Sequence, residues 1–471
     1  MMTSVMWFRK DLRLSDNKAL AKACEESEEL ILFFQLNPKQ FIEGSPNHQA
    51  FFSSVAYLKQ QLDQHRHLHV HFGDPKTSFQ ALLDKVPTIT DIYFNTDETG
   101  YGAKRDQEMR IFFKDKNIQV HECLDGYLHG ADEITRNGNY YKVYTPYYKK
   151  WIEEIKESPV TVDLSQTTVK SQIIFEQEEA NFKTFCEKLP ALDGQPLGED
   201  YARERLKEFV KEDLAVYDQQ RDIPEADQTS RLSRHLRTGE ISIRTVWHEV
   251  QKASNSTGKA TFEKELCWRD FYHMIYKAFP KQKEESIQEN YRYVEWDNKR
   301  EFFKQWQAGQ TGFPIVDAAM RQLNETGWMH NRLRMITASF LTKDLLIDWR
   351  WGEKYFEQML VDYDPASNIG GWQWAASTGT DAVPYFRIFN PTTQSEKFDK
   401  QGNFIRTFVP ELKQVPNKFI HQPENMTQTQ QKEYGVRLGE DYPLPIVDHK
   451  EQRKQALAKY EFSKERAQEQ A

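Results

Sequence analysis

The chain has 471 residues, 38% hydrophobic and 28% charged, which suits a folded globular protein of two or three domains and excludes a disordered one. Apolar runs such as Leu30 to Phe34 are too short to span a bilayer. A net charge of −8 with a pI near 6.0 excludes a protein that coats nucleic acid through bulk charge, but not one that binds it through a local basic patch.

The first 125 residues alternate between strand and helix signals. Ser4 to Phe8, Leu30 to Leu36, Leu68 to Phe72, Asp91 to Asn95 and Ile118 to His121 read as strands. Ser15 to Glu26, Asn47 to Leu62, Thr77 to Asp84 and Ala103 to Lys114 read as the helices between them. Repeated strand–helix units imply an α/β domain over residues 1–130, a doubly wound parallel sheet with helices on both faces. No GxGxxG follows the first strand, so a dinucleotide site of that kind is not expected there. Residues 131–197 open with the tyrosine-rich YYKVYTPYYKKW and continue as a polar stretch of weak periodicity. They read as an interdomain linker that wraps the surface. From residue 198 to 471 the strand signal vanishes. Helical spacing recurs at Ala202 to Tyr217, Ile243 to Ala253, Phe262 to Phe279, Ile315 to Asn324, Arg332 to Leu346 and Trp351 to Leu360, so a large all-α domain is expected.

The four cysteines (Cys24, Cys123, Cys186, Cys267) form no CxxC pair, so no metal site and no disulfide framework is expected. The N-terminus shows no secretory pattern, which points to the cytoplasm. The chain has 11 tryptophans, and eight of them lie from Trp268 onward. Each ring is accounted for by core packing, yet their concentration in the helical part needs a further reason.

Four segments carry candidate chemistry. In YDQQRDIPEADQTSRLSRHLRTGE, Pro224 ends one helix and Thr229 and Ser230 stand where another should start. Their hydroxyls suit either helix capping or a phosphate cradle. In EKELCWRDFYHMIYKAF, the spacing of Glu265, Trp268, Arg269 and Tyr272 puts them on one helix face, opposite Leu266, Met274 and Ile275. A tryptophan on a polar face suits stacking against a planar ligand. In the segment from Gly327, Asn331, Arg334 and Met335 share a face. A partly buried Arg334 needs a carboxylate, and Asp362 or Asp364 could supply it. In ASNIGGWQWAASTGTDA, Gly370 and Gly371 allow close backbone approach, and Trp372 and Trp374 project in different directions.

With these motifs the chain resembles the class I cyclobutane pyrimidine dimer photolyases of the photolyase/cryptochrome family. The resemblance is carried by WFRKDLRLSDN at Trp7 to Asn17, TSRLS at Thr229 to Ser233, ELCWRDFY at Glu265 to Tyr272, TGFPIVDAAMRQL from Thr311, MHNRLRMITASFLTKDLLIDWR from Met329 and GGWQWAASTGTDA from Gly370. It covers essentially the whole chain and implies an α/β antenna domain joined to a helical domain that holds FAD and binds DNA. Carried over by motif position, the cofactor residues are Tyr217, Thr229, Ser230, Arg231, Leu232, Ser233, Phe262, Arg334, Asp362, Asp364 and Asn368. Arg334 and Asp362 form the ion pair, and Asn368 faces flavin N5. The substrate pocket combines Glu265, Trp268, Asn331, Met335 and Trp374. Arg221, Arg269, Arg332, Arg387, Gln394 and Lys397 are the further DNA contacts. Trp372, Trp349 and Trp296 match the family's three-tryptophan electron path.

The implied reaction is light-driven repair, in which excited reduced FAD, in its anionic form, gives an electron to a flipped-out dimer and recovers it after the cyclobutane opens. The implied partner is DNA containing pyrimidine dimers, bound by a monomer that joins the nucleoid when on DNA. A second, antenna chromophore is implied, with methenyltetrahydrofolate first in line. An Asn-Glu pair helps to hold folate in relatives, and the corresponding stretch here is DETGYGAKRD, with Tyr101 and Gly102 near those positions. Two alternatives stay open. One is a cryptochrome that binds FAD and signals. The other is a (6-4) photolyase, which needs pocket histidines where this chain has Asn331 and Met335.

Overall fold

Every residue of the first strand, β1 (Thr3–Phe8), is buried, and its side chains divide by parity. Met6 and Phe8 enter one apolar cluster, Val5 and Trp7 another. A strand covered on both faces needs helices above and below it. The computed structural model describes residues 3–62, 66–189 and 196–470 and supplies them. After β1 come α1 (Lys18–Glu26), β2 (Glu29–Leu36), α2 (Pro46–Leu62), β3 (Leu68–Phe72), α3 (Pro75–Lys85), β4 (Ile89–Asn95), α4 (Gly100–Asp115) and β5 (Gln119–Cys123). The strands are parallel in the order β3-β2-β1-β4-β5. α1 and α2 cover the Met6 face, α3 and α4 the Trp7 face. The doubly wound sheet expected from the sequence is present. Side-chain caps fix the helix starts, as Asn17 does for α1 and Asp74 for α3.

The stretch read as a linker holds regular structure: α5 (Tyr144–Glu153), β6 (Thr168–Val169) and α6 (Glu176–Glu187). Residues 190–195 of it lie outside the described residues. β6 pairs in parallel with Glu29 and Leu30 of β2. α6 presses Phe182 into the Met6-face cluster, and its Glu179 meets Lys59 and His67. A two-residue strand has no period to read, and three glutamates in the first turn mask the apolar side of α6.

Among the described residues no strand follows β6. The remaining helices are α7 (Glu199–Glu212), α8 (Tyr217–Gln220), α9 (Ser233–Thr238), α10 (Ile243–Gln251), α11 (Thr257–Ala278), α12 (Arg300–Ala308), α13 (Pro314–Thr326), α14 (Asn331–Ser339), α15 (Trp349–Met359), α16 (Pro365–Ala375), α17 (Pro391–Phe398), α18 (Asn403–Phe408), α19 (Asn417–Ile420), α20 (Gln428–Glu433) and α21 (His449–Glu469). The helix expected to run from Arg332 to Leu346 leaves the α form at Ser339, and a π turn over Phe340–Asp344 follows. Such turns insert one extra residue and re-aim the side chains after it.

The chain packs as two compact units. One comprises the described residues within 1–141, 145–216 and 230–278, the other those within 142–144, 217–229 and 279–471. In the first unit a buried charge cluster joins the sheet to α10. Arg244 donates to Asp16 Oδ1 at 2.9 Å and to Asp125 Oδ1 at 2.6 Å. Arg13 binds the other oxygen of Asp125, and Thr245 donates to Asp16 Oδ2 at 2.8 Å. Asp16 sits in the β1–α1 loop at a left-handed φ of 49°. All four charged side chains are at most 3% exposed. Burial opposes ionisation of Asp125, but Arg13 and Arg244 outweigh it and hold the carboxyl below its ordinary range. Removing one member strands the others, so Asp125→Asn should lower the unfolding free energy by about 3 kcal/mol or more in denaturant titration. A loss under ~1 kcal/mol, typical of a surface pair, would contradict the role given to the cluster.

Candidate functional site

In the second unit, α14 and α16 pack against each other and present the predicted residues. His330 starts α14, its Nδ1 accepting from the Arg332 amide at 3.1 Å. Asn331, Arg334 and Met335 follow on one face, and the Asn331 amide lies 4.0 Å from the Met335 sulfur. Of the two candidate carboxylates, Asp362 pairs with Arg334. Arg334 Nη2 donates to both its oxygens at 2.8 and 3.1 Å, while Nε donates to the Met329 carbonyl at 2.8 Å. Asp364 instead caps α16, accepting from the Ser367 amide at 2.8 Å.

Helical spacing places Ser367, Asn368, Gly371 and Trp374 on one side of α16. The other side carries Ile369, Trp372 and Gln373, all buried. A Cβ added at Gly371 would meet nothing within 4 Å, so this side opens onto free space. Asn368 is oriented from behind. Its Nδ2 donates to Glu353 Oε1 at 3.2 Å, leaving its carbonyl oxygen available. Glu353 is buried and also accepts from Tyr363 Oη at 2.9 Å. Burial is the largest influence on Glu353 and pushes its carboxyl up. The sequence hint for Glu353 was its place four residues after Trp349, on the buried stripe of α15. Trp374 lies edge-on to Phe389 with ring centres 6.4 Å apart. In the same unit, Tyr217 is buried in α8 under the Arg221 guanidinium, 5.6 Å above its ring, and Thr229 is half-buried. The next residue of α8, Asp218, has a buried Oδ1 with no hydrogen-bond partner among the described residues. An open helix face with Gly371 and Trp374 on it, an amide oriented by Glu353 and a fixed guanidinium–carboxylate pair fit a flat ligand with polar edges, as FAD is.

The three tryptophans of the expected electron path all lie in this unit. Trp349 is fully buried at the start of α15, and one turn on is Gly352. A Cβ on Gly352 would come within 2.1 Å of the Trp372 ring, so only glycine lets that indole lie against α15 beside Trp349. Trp296 is half-buried and stands edge-on to Tyr460, with centres 6.1 Å apart. The sequence reading missed Trp306, which is fully buried 6.1 Å from Trp372, and it missed Tyr460.

The first unit holds the remaining positions. The helix expected at Thr229 and Ser230 starts later, at Ser233, after Arg231 has taken a left-handed φ of 56°. The Ser230 hydroxyl accepts from the Leu232 amide, and Leu232 begins α9 without a side-chain cap. The first-turn amides of α9 therefore have no capping side chain of their own. Phe262 is buried against Phe209, centres 4.8 Å apart. On α11, Glu265, Trp268, Arg269 and Tyr272 are half-buried while Leu266, Met274 and Ile275 are buried, as spacing implied. Trp268 and Tyr272 lie 5.5 Å apart, tilted by 30°.

The cationic candidates differ in availability. Arg269 donates to the Gly126 carbonyl at 2.6 Å and lies 4.3 Å over Tyr127. Arg332 pairs with Asp222 at 2.8 Å, and Arg221 is 3.9 Å from the same carboxylate. Arg387 and Lys397 are exposed, and Gln394 is half-buried on α17 with Lys397. At the antenna position Tyr101 is exposed, and a Cβ on Gly102 would overlap Asp97. The adjacent carboxylate, Glu98, already accepts from the Ala131 amide at 3.0 Å and meets His273 at 2.8 Å.

Comparison with known proteins agrees with this arrangement. The profile of the DNA photolyase family matches residues 4–165, and that of the FAD binding domain of DNA photolyase matches residues 262–462. A relative from Alkalihalophilus pseudofirmus named deoxyribodipyrimidine photo-lyase is 46% identical over 463 residues, covering 96% of each chain. The crystal structure of a class III photolyase from Agrobacterium tumefaciens matches with a TM-score of 0.92 at 36% identity, over 99% of this chain and 98% of that one. An archaeal photolyase from Sulfolobus tokodaii, solved with two FAD molecules, matches with a TM-score of 0.83 at 32% identity, over 98% of this chain and 100% of that one. On these near full-length matches, the chain belongs to the DNA photolyase family, with an α/β N-terminal part and a mostly helical FAD-binding part.

Proposed function

We propose that this chain is a deoxyribodipyrimidine photo-lyase that repairs cyclobutane pyrimidine dimers in DNA under blue light. The observation that carries this reading is the open side of α16, with Asn368, Gly371 and Trp374, in a chain that matches enzymes of that name over nearly its whole length. FAD, when bound and reduced, supplies the light-driven one-electron chemistry. Position, polarity and exclusion of water fall to the protein. The Asn368 carbonyl takes a hydrogen bond at the flavin N5 edge, held there by Glu353. Arg334 and Asp362 give the cofactor a half-buried, charge-balanced border. By the resemblance, the hydroxyls of TSRLS would hold its pyrophosphate. Of the residues that the resemblance assigns to the substrate, Asn331, Met335 and Trp374 belong to the second unit, where Trp374 offers a flat apolar face and Asn331 a polar edge, and Glu265 and Trp268 belong to the first. A dimer is poorly stacked and leaves the helix at a cost of about a few kcal/mol, which favours lesion over intact sequence.

DNA backbone contacts fall first to Arg387 and Lys397, which are exposed, then to Arg221, Arg332 and Gln394, with Arg269 turned toward Tyr127. Functionally, residues 1–130 form the light-harvesting part, 131–197 the connection and 198–471 the FAD- and DNA-binding part. No described helix is long and apolar enough to cross a membrane. We place the protein in the cytoplasm as a monomer, on the nucleoid when bound to damage. For the antenna, Tyr101 and Gly102 offer neither the amide nor the carboxylate of the folate pair, and Glu98 is already engaged. These residues do not fit methenyltetrahydrofolate at that position.

With reduced FAD, illumination should restore dimer-containing oligonucleotides to intact thymines, read by chromatography. Bound FAD without restoration would favour a signalling photoreceptor. Glu265→Ala should lower repair per absorbed photon about tenfold, the worth of one carboxylate hydrogen bond, with flavin content unchanged. An empty flavin site in that variant would contradict the role given to Glu265. Trp296→Phe should block photoreduction of oxidised FAD and spare repair by enzyme reduced beforehand.

A further inference from the structure

Lys343 lies in the π turn Phe340–Asp344 with 1% of its surface exposed. Its Nζ is 2.9 Å from the Ser377 hydroxyl and 3.7 Å from the centre of the Tyr460 ring. Among the described residues no carboxylate pairs with it. The charged groups around it have other partners: Asp344 Oδ1 is turned to His449, while its buried Oδ2 has no partner among the described residues, and Asp348 meets Arg350, Asp297 meets Lys459, Glu295 meets Arg466, and Glu461 meets Lys464 and the Tyr385 hydroxyl. Three further rings pack against that of Tyr460: Tyr291 at 5.4 Å, Tyr385 stacked at 5.9 Å and Trp296 edge-on at 6.1 Å.

Counting donors decides the state of the amine. An ammonium carries three N–H bonds, a neutral amine two. The site offers two acceptors, one hydroxyl oxygen and one ring face, so it satisfies the neutral form and leaves the charged one short. Burial without a counter-ion acts in the same direction and holds Lys343 well below the usual lysine range. A ring face does attract a cation, but one ring does not replace the water that burial removes.

We propose that Lys343 is a positioning residue for the electron path. Its uncharged amine adds no unpaired positive charge to the Trp296–Tyr460 contact, where Lys459 is already paired with Asp297, so that Trp296 can give up an electron. The inference rests on the reading of Trp296, Trp349 and Trp372 as that path. The balance is simple. One electron leaves the Trp296 indole and passes inward by Trp349 and Trp372 to the oxidant, photoexcited oxidised flavin. Trp296 is left with one positive charge until it sheds its N–H proton to water or takes an electron from a thiol in solution. A second positive charge across the Tyr460 ring, in a medium of low dielectric, would oppose the first step. Protonation of Lys343 therefore closes the path, and acid slows it.

The test is photoreduction of the FAD-loaded protein with a thiol donor, followed by flavin absorbance across pH. Wild type should slow about tenfold as Lys343 takes up its proton on acidification, Lys343→Met should keep its rate over the same range, and Lys343→Arg should be slow throughout. The charge itself is read without flavin, by the NMR shift of ¹³C-labelled Lys343 Cε, expected at the neutral-amine position at pH 7. Identical pH profiles for wild type and Lys343→Met, or an ammonium shift at pH 7, would overturn the proposal. If Trp296→Phe photoreduces as fast as wild type, the path itself is wrong and the role of Lys343 falls with it. In that case the NMR result still stands.

Discussion

A buried carboxylate needs a cation, and Asp362 finds the half-buried Arg334. Most of the second unit's functional geometry follows from that pair. Arg334 belongs to the same face of α14 as Asn331 and Met335, and Asp362 stands two residues before the cap of α16. Joining them fixes the polar face of one helix beside the open side of the next. The same rule governs the first unit on a larger scale. There Arg13 and Arg244 neutralise Asp16 and Asp125, and a loop at the end of β1 is tied to α10. Buried charge is poor at adding net stability, because desolvation consumes most of the attraction. It is good at excluding alternatives, since any shift of one partner leaves the other unpaired.

Many of these residues serve packing and chemistry at once. Trp372 fills the groove over Gly352 and also touches the element that begins with Trp349. Glu353 is a buried acid with two donors, Tyr363 and Asn368, and its effect is to turn one amide so that its oxygen faces open space. The π turn has a similar double character. It interrupts a helix at some cost in hydrogen bonding and brings Lys343 over Tyr460.

What the sequence revealed follows physical range. The strands of the sheet were legible because fully buried strands are short apolar runs, and β1 and β2 are close to that limit. The faces of α11 and α14 were legible because helical spacing is local. The choice between Asp362 and Asp364 was not legible from spacing, since both follow α15 within a few residues; the family resemblance named Asp362, and the fold turns it to Arg334. Contacts between distant segments left no local trace. Arg244 and Asp125 are 119 positions apart, and nothing near either announces the other. Lys343 and Tyr460 are separated in the same way. α6 escaped notice because its first turn is acidic, and the helix starting at Ser233 was placed early because Thr229 and Ser230 are good caps that here lie outside the helix.

The account turns on a planar cofactor lying along the open side of α16, within reach of a lesion drawn out of its duplex. A crystal structure of the protein grown with FAD and a dimer-bearing duplex tests this most directly. The flavin ring should lie against Asn368 and Gly371, with the dimer off the helix axis against Met335 and Trp374. A flavin bound away from α16, or a dimer still stacked in its duplex, would contradict it.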